Sequence, residues 1–298
     1  MPKFSVLICT YNRHELLKMS LTALIDGTTE KPDQVVIVNG GDERADQVVS
    51  LFQNRSGVTV DLVKTVNVNL ATSRNIGLSK CTGDIVAMTD DDAEIFPDWI
   101  SLMKRVHSEH PEAGAVGGAV IGADSGTDLL SRIADVMVFS SPVKPAYVRT
   151  LPGVNISYKR DALEKVGFQD ETLFRGEDVD FNWRIKKLGY DIYYSPEIKV
   201  IHHHRPTFTG LLNQFYMYGR AYYLVRKKWP EMYCIYPHKI DNFRAFLKAI
   251  HSVLAPFYQS FQFACKVPGY FYKLAAIPVI FLLQYNWRFG MIREKLIL

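Results

Sequence analysis

Three consecutive carboxylates, Asp90, Asp91 and Asp92, close an apolar run in the stretch DIVAMTDDDAEIFPDWI. Like charges held this close repel and raise each other's pKa unless a cation sits among them. In an extended chain alternate residues face the same way, so Asp90 and Asp92 can converge while Asp91 points elsewhere. A hard divalent ion such as Mg²⁺ or Mn²⁺ would supply that cation. Mg²⁺ commonly takes one or two carboxylates and completes its shell with water and phosphate oxygens. The triplet therefore reads as a site for a metal and a diphosphate; the plainer alternative is a solvated loop of charges. A second acidic group, Glu177, Asp178 and Asp180, stands at a helix entrance, where carboxylates also serve as caps. A third element, His202, His203 and His204, follows a strand-like run, and neutral imidazole is a frequent metal ligand. Adjacent histidines alone are more often surface residues.

These groups need a frame. FSVLI at residues 4–8, QVVIV at 34–38, VTVDLVK and DIVAMT are short apolar runs that read as strands, and AGAVGGAVIG adds a glycine-rich one. Helical spacing fills the gaps: Leu17, Leu21 and Leu24 after Asn12 as a candidate N-cap, then DERADQVVSLFQN, LATSRNIGLSKC and PDWISLMKRVHSEH. This alternation predicts an open, mostly parallel sheet covered by helices. Ligands of such sheets bind at the carboxyl ends of the strands, where Asp90–Asp92 fall. Residues 122–150 read as a long connection. GVNISYKRDALEKVG predicts a strand and a helix, GEDVDFNWRIKKLGY an acidic turn and a helix, and DIYYSPEIKVIHHH a pair of short strands.

The chain has 298 residues, enough for one large α/β domain with an appendage. Its four scattered cysteines form no CxxC pair, and the opening MPKFSVLICTYN runs straight into a strand with no extended apolar leader. Both point to a reducing, cytoplasmic setting. The net charge of +4 hides an asymmetry: residues 1–204 carry 22 Lys and Arg against 28 Asp and Glu, whereas residues 205–298 carry 13 against 3. The same tail holds 22 of the 37 aromatic residues. A cationic, aromatic tail on an acidic body implies an anionic partner, and its apolar stretches favour a membrane surface over nucleic acid.

In order, FSVLICTYNR, QVVIVNGGD, ATSRNIGLSKCTGDIVAMTDDDA, GVNISYKRDALEKVGFQDE, GEDVDFNWRIKKLGYDIYYSP and VIHHHRP resemble the family-2 glycosyltransferases, inverting enzymes with the GT-A (nucleotide-diphospho-sugar transferase) fold. The resemblance covers about residues 4–206. It implies a GT-A catalytic domain over 1–206, with a nucleotide-binding part near 1–121 and an acceptor part near 150–206, followed by a basic, aromatic, helical region at 207–298. It also implies roles. Thr10, Tyr11 and Asn12 would contact the nucleotide, and Arg74 would approach its diphosphate. Asp90 and Asp92 match the family's DxD pair: Asp92 would bind the metal, Mn²⁺ or Mg²⁺, and Asp90 would sit on the nucleotide side within reach of it. Asp91 would belong to the nucleotide-binding group. Asp178 matches the catalytic base, with Glu177 beside it toward the acceptor. Gly153 and Asn155 would line the acceptor side, and His202 could reach the metal or diphosphate. One departure stands out: the family often has an acidic pair in the turn after the second strand, whereas here the turn reads Asn39-Gly40-Gly41. An amide, which both donates and accepts hydrogen bonds, would replace the acidic contact to the base.

The chemistry implied is metal-dependent transfer of a sugar from a nucleotide-sugar to a hydroxyl of a saccharide or lipid-linked acceptor. Negative charge would grow on the departing diphosphate, and Asp178 would take the acceptor proton. Rivals fare worse. A phosphohydrolase of DxDx[TV] type needs Thr or Val where Glu94 stands, and a dinucleotide-binding dehydrogenase needs a GxGxxG that is absent. A non-catalytic nucleotide- or sugar-binding scaffold on a membrane is the remaining alternative. In the tail, QFYMYGRAYYLVRKKW at 214–229 mixes aromatics with Arg220, Arg226, Lys227 and Lys228, and AIPVIFLLQYNW at 276–287 is strongly apolar. The uncharged run around the latter is short of the ~20 residues a spanning helix needs. Pro256, Pro268 and Pro278 are expected to interrupt helices. An in-plane attachment through these two segments is the expectation; packing on the catalytic domain or a dimer interface is the alternative.

Overall fold

The strand that anchors the sheet is Phe4–Thr10 (β1), which pairs in parallel with Gln34–Asn39 (β2) on one side and Ile85–Asp90 (β4) on the other. The computed structural model describes residues 2–53, 57–203, 207–232 and 240–297. Thr59–Lys64 (β3) extends the sheet beyond β2, again in parallel. β2 is buried at every position, which is why its sequence is nearly all apolar rather than alternating. The helices between these strands, His14–Leu21 (α1), Glu43–Ser50 (α2) and Leu70–Leu78 (α3), follow the predicted order. α1 is capped by Arg13 rather than Asn12.

Beyond β4 the sheet changes character. The remaining strands are Ala93–Ile95 (β5), Ala113–Gly122 (β6), Ala146–Tyr147 (β7), Ile156–Lys159 (β8) and Asp191–His202 (β9). Among the described residues the order is β3-β2-β1-β4-β8-β6-β9-β5, with β7 on β9. β8 runs antiparallel to both β4 and β6, and β5 and β7 are antiparallel to β9. The sheet is therefore mixed, with its parallel part confined to β1–β4 and the β6–β9 pair. The predicted pair of short strands at 191–202 is one strand. β9 stays paired with β6 on both sides of an irregularity where Gly118/Ala119 face Ser195–Lys199, and Pro196, with no N–H to donate, sits in that break. Trp99–Glu109 (α4), Arg160–Val166 (α6) and Glu177–Lys187 (α7) complete this unit, whose core gathers Leu7, Val36, Met88, Tyr158, Phe181 and Ile192.

Two compact units emerge: Met1–Ala123 with Ser141–His204, and Asp124–Ser140 with Arg205–Leu298. Within the stretch expected to be a bare connection, Leu129–Met137 forms a helix (α5) that belongs to the second unit. Its companions are Phe208–Lys228 (α8), Phe243–Lys266 (α9) and Tyr270–Ile297 (α10). Ile133, Leu211, Phe215, Ala276, Ile280 and Leu283 form their shared core. The two apolar segments assigned to a membrane from sequence are partly interior, because they meet each other: a Cβ on Gly219 would lie 1.8 Å from the Trp287 carbonyl oxygen, and one on Gly290 would lie 2.0 Å from that of Tyr216. Only glycine allows α8 and α10 to cross this closely.

Pro256 and Pro278 lie inside α9 and α10, and Pro268 alone falls in a break between helices. α9 survives its proline for a visible reason. Pro256 cannot donate to the Ser252 carbonyl four residues earlier. The Arg288 Nε donates to that carbonyl instead, at 2.6 Å. The other guanidinium nitrogens donate to the Gln284 carbonyl and to Oε1 of Gln284 and Gln259. Burial lowers the Arg288 pKa from the ordinary arginine value, since those oxygens are neutral. Arg288→Met is expected to cost about 1–3 kcal/mol by stranding the Ser252 carbonyl. Urea unfolding would measure it, and wild-type stability would refute the repair.

Candidate functional site

The acidic triplet ends β4 and enters the turn to β5: Asp90 is the last residue of the strand, and Asp91 and Asp92 are turn residues. Asp90 and Asp92 do converge, but through the turn rather than through strand alternation. His202, at the end of β9, joins them because β9 pairs with β5 in a register that sets His202 opposite Ala93. One ligand atom from each of Asp90, Asp92 and His202 lies within 4.8 Å of the other two. The His202 Nε2 is 3.3 Å from the Asp92 Oδ1. That carboxylate oxygen is buried and accepts no hydrogen bond. Two carboxylates and an imidazole, with one oxygen lacking a donor, suit a divalent cation.

Asp91 points inward and is 0 % exposed. Burial pushes its carboxyl up to about 7, against the pull of Arg13 and the Thr10 hydroxyl. The Thr10 Oγ1 donates to Asp91 Oδ2 at 2.7 Å, and the Arg13 Nη2 lies 2.7 Å from Asp91 Oδ1. Arg13 also reaches Asp92 through Nη1. This half-exposed guanidinium compensates the triplet, and sequence reasoning missed it. The signal was present: three aspartates at the end of β4 need a cation nearby, and Arg13 follows the end of the adjacent strand β1. Asp91 and Thr10, expected to contact a nucleotide, spend their side chains on each other.

Arg74, on α3, is 4 % exposed. Its Nη1 donates to the Glu177 Oε1 at 2.8 Å, and its Nη2 to the Asp90 Oδ1 at 3.3 Å. Burial works against its charge, but Glu177, Asp90 and Asp178 together hold its pKa above the ordinary value. Its guanidinium ties Asp90 to the acidic turn of α7. Gly153 packs on it so closely that a Cβ there would lie 2.5 Å from Nη2.

α7 begins after Gly176, whose left-handed φ of 79° turns the chain into the helix. Its first-turn carboxylates separate by environment. Glu177 is buried against Arg74, and burial with the nearby Asp178 charge raises its pKa. Asp180 is buried against Arg184, 2.9 Å away. Asp178 is only partly buried, and its Oδ2 accepts from the Gly153 N–H at 3.2 Å. It is the carboxylate of this turn left within reach of an incoming group.

Other expected contacts fall elsewhere. Asn155 is 0 % exposed: its amide donates to the carbonyls of Ala119 and Ile198 and accepts from the Trp99 Nε1. It stitches the sheet and cannot line an acceptor site. Asn39 is buried too; its amide donates to the Asp42 carbonyl and to the Asp46 Oδ1, and its oxygen accepts from Gly41. It shapes the turn rather than meeting a base. Asn12, at φ 55°, accepts from the Asp42 N–H at 2.9 Å and joins the ends of β1 and β2. Tyr11 is exposed beside it. His203 pairs with Glu94 at 2.9 Å, as befits a bystander, and His204 lies outside the described residues.

The family model for Glycosyl transferase family 2 matches residues 5–167. A glucosyl-dolichyl phosphate glucuronosyltransferase of Haloferax volcanii is 28 % identical over 272 residues, covering 83 % of this chain and 82 % of its own length. Among solved structures, the mannosyltransferase PcManGT from Pyrobaculum calidifontis, in complex with GDP-Man and Mn²⁺, superposes with a TM-score of 0.67 at 17 % identity, over 98 % of this chain and 87 % of its own. GalNAc-T7 with UDP, GalNAc and Mn²⁺ gives a TM-score of 0.57 at 15 % identity, over 76 % of this chain and 54 % of its own. At these identities the two structures speak to the fold, which is GT-A.

Proposed function

The chain belongs to glycosyl transferase family 2 and is a glycosyltransferase using nucleotide-sugar donors, and from that premise we propose that it moves the sugar, with inversion at C1, to a hydroxyl of a saccharide carried on a lipid, with Mn²⁺ or Mg²⁺ bound at Asp90, Asp92 and His202. The observation that carries this reading is the convergence of those three side chains around an oxygen of Asp92 that has no hydrogen-bond donor. The Haloferax relative, named for a glucosyl-dolichyl phosphate substrate, supports a lipid-linked acceptor.

When bound, the cation would supply positive charge to the diphosphate as it departs. The protein does the rest by position. Arg13 holds Asp91 and Asp92 in place, and Arg74 fixes Asp90 relative to Glu177. Asp178 accepts the proton of the acceptor hydroxyl while its oxygen bonds to C1 and the C1–O bond to the diphosphate breaks. The products are the glycosylated acceptor, a nucleoside diphosphate and a proton on Asp178, later lost to water.

Calorimetry with Mn²⁺ and a panel of nucleoside diphosphates tests the site. Wild type should bind at least one of them more tightly with the cation than without. Asp92→Asn should lose at least the 10–100-fold that substitution of an outer-shell partner costs a metal site. Cation-assisted binding unchanged in Asp92→Asn, or absent from wild type for every nucleotide, would overturn the assignment.

A further inference from the structure

α9 is built inside out. Its buried positions are small or polar: Ala245, Ser252, Ala255, Pro256, Ser260 and Ala264. Its large apolar side chains are exposed, although Phe257 also meets the Phe281 ring of α10 edge-on. Phe243, Phe246, Ile250, Leu254, Phe257 and Phe261 are between 40 % and 72 % exposed. Their spacings of three and four residues place them on one stripe of the helix. Exposed apolar residues scattered singly are ordinary, but a continuous stripe is not. Hydrophobic burial drives such side chains inward unless a second apolar phase lies outside. Tyr270 and Phe271, at the start of α10, are also 72 % and 83 % exposed.

Charge identifies the phase. No Asp or Glu stands between Asp241 and Glu294, whereas Arg244, Lys248, Lys266 and Lys273 do. Arg244 and Lys248, both exposed, lie about 100° and 140° round the helix from Phe243, off the apolar stripe. Two copies meeting through this helix would bring its cations together with no α9 carboxylate to offset them. An anionic bilayer offers both an apolar interior and compensating headgroups. No helix among the described residues is long and apolar enough to cross a membrane, so the helix would lie in the plane of the interface.

We propose that the outward face of α9 inserts its Phe, Ile and Leu side chains into an anionic lipid surface while Arg244 and Lys248 meet the headgroups. The proposal extends the reading of a lipid-linked acceptor: it names the element that would bring the enzyme to the surface where that acceptor resides. It also places the membrane contact on a helix that sequence reasoning did not single out, rather than on α8 and the centre of α10, which pack on each other.

The test uses the full chain and vesicles of phosphatidylcholine, with and without phosphatidylglycerol. Wild type should co-sediment with the anionic vesicles, and more weakly as salt rises. The triple variant Phe246→Ser, Ile250→Ser, Phe261→Ser changes exposed positions of the stripe. Its partition into anionic vesicles should fall by about a hundredfold, the order expected when three large apolar side chains no longer leave water. Arg244→Gln with Lys248→Gln should abolish the preference for anionic over neutral vesicles. Equal sedimentation of wild type and triple variant would overturn the proposal. So would a wild-type dimer in vesicle-free ultracentrifugation that the triple variant dissolves, because the face would then belong to a second copy. Release of nucleotide from a donor in vesicle-free solution reports on the catalytic reading separately. The triple variant should keep the wild-type rate there, so loss of vesicle binding and loss of turnover are distinguishable.

Discussion

Asp178→Asn is expected to lower kcat by about 10²–10⁴-fold, the range a positioned general base contributes, while leaving nucleoside diphosphate affinity unchanged. The expectation follows from how the first turn of α7 divides its carboxylates. Glu177 is committed to Arg74 and Asp180 to Arg184. Asp178 accepts from the Gly153 N–H at Oδ2 and from the Val179 N–H at Oδ1, and remains partly open. Asparagine keeps a carbonyl oxygen for one of these two donors and has the same shape, but it cannot take a proton. Sugar transfer under single-turnover conditions, set beside calorimetry with nucleoside diphosphate and Mn²⁺, separates chemistry from binding. A variant that turns over like wild type would remove Asp178 from the mechanism and return the search for a base to Glu177. Weakened nucleotide binding instead would make Asp178 a donor-site residue.

Arg74→Met should be the most destabilising single change near the site, by about 3–5 kcal/mol, the cost of leaving a buried charge without its partner. Among the described residues the Arg74 guanidinium is the one cation that pairs with Glu177, at 2.8 Å, and Glu177 is itself buried. Gly153 offers no slack, since its backbone packs directly on the same group. Chemical unfolding measures the loss. The double variant Arg74→Met, Glu177→Gln should recover part of it, because the stranded carboxylate is gone and only its packing remains to be repaired. No recovery would mean that the loss comes from cavity formation rather than from charge. A stability within about 0.5 kcal/mol of wild type, typical of surface positions, would show that the buried network does not hold the acidic turn.

Much of the frame is legible in the chain because its signals are local. β1, β2 and β4 are short apolar runs followed by helical spacing, and parallel strands buried on both faces read that way. Asp90, Asp92, Asp178 and His202 were named from a resemblance whose motifs appear in order. What the chain does not display locally is partnership. Asn155 and Asn39 look like ligand contacts because they are polar residues near strand ends; only the fold shows that Trp99, Ala119, Ile198 and Asp46 already use their amides. That Arg74 also pairs with Glu177, 103 positions away, is invisible locally. Arg13 went unread for the converse reason: its partners lie on another strand. In the tail, apolar content is visible but its direction is not. The most hydrophobic segments became core, and the outward stripe of α9 shows only when burial is known.

Synthesis proceeds from the amino end, so Asp90 and Asp92 leave the ribosome well before His202. Until β9 is made, β5 lacks the strand it pairs with, and the carboxylates lack their imidazole. A cation bound as proposed at Asp90, Asp92 and His202 would act as a latch on the last strand to arrive. By mass action it would favour the closed sheet over any form in which β9 is undocked, and so would guard the newborn chain against premature unravelling of that edge.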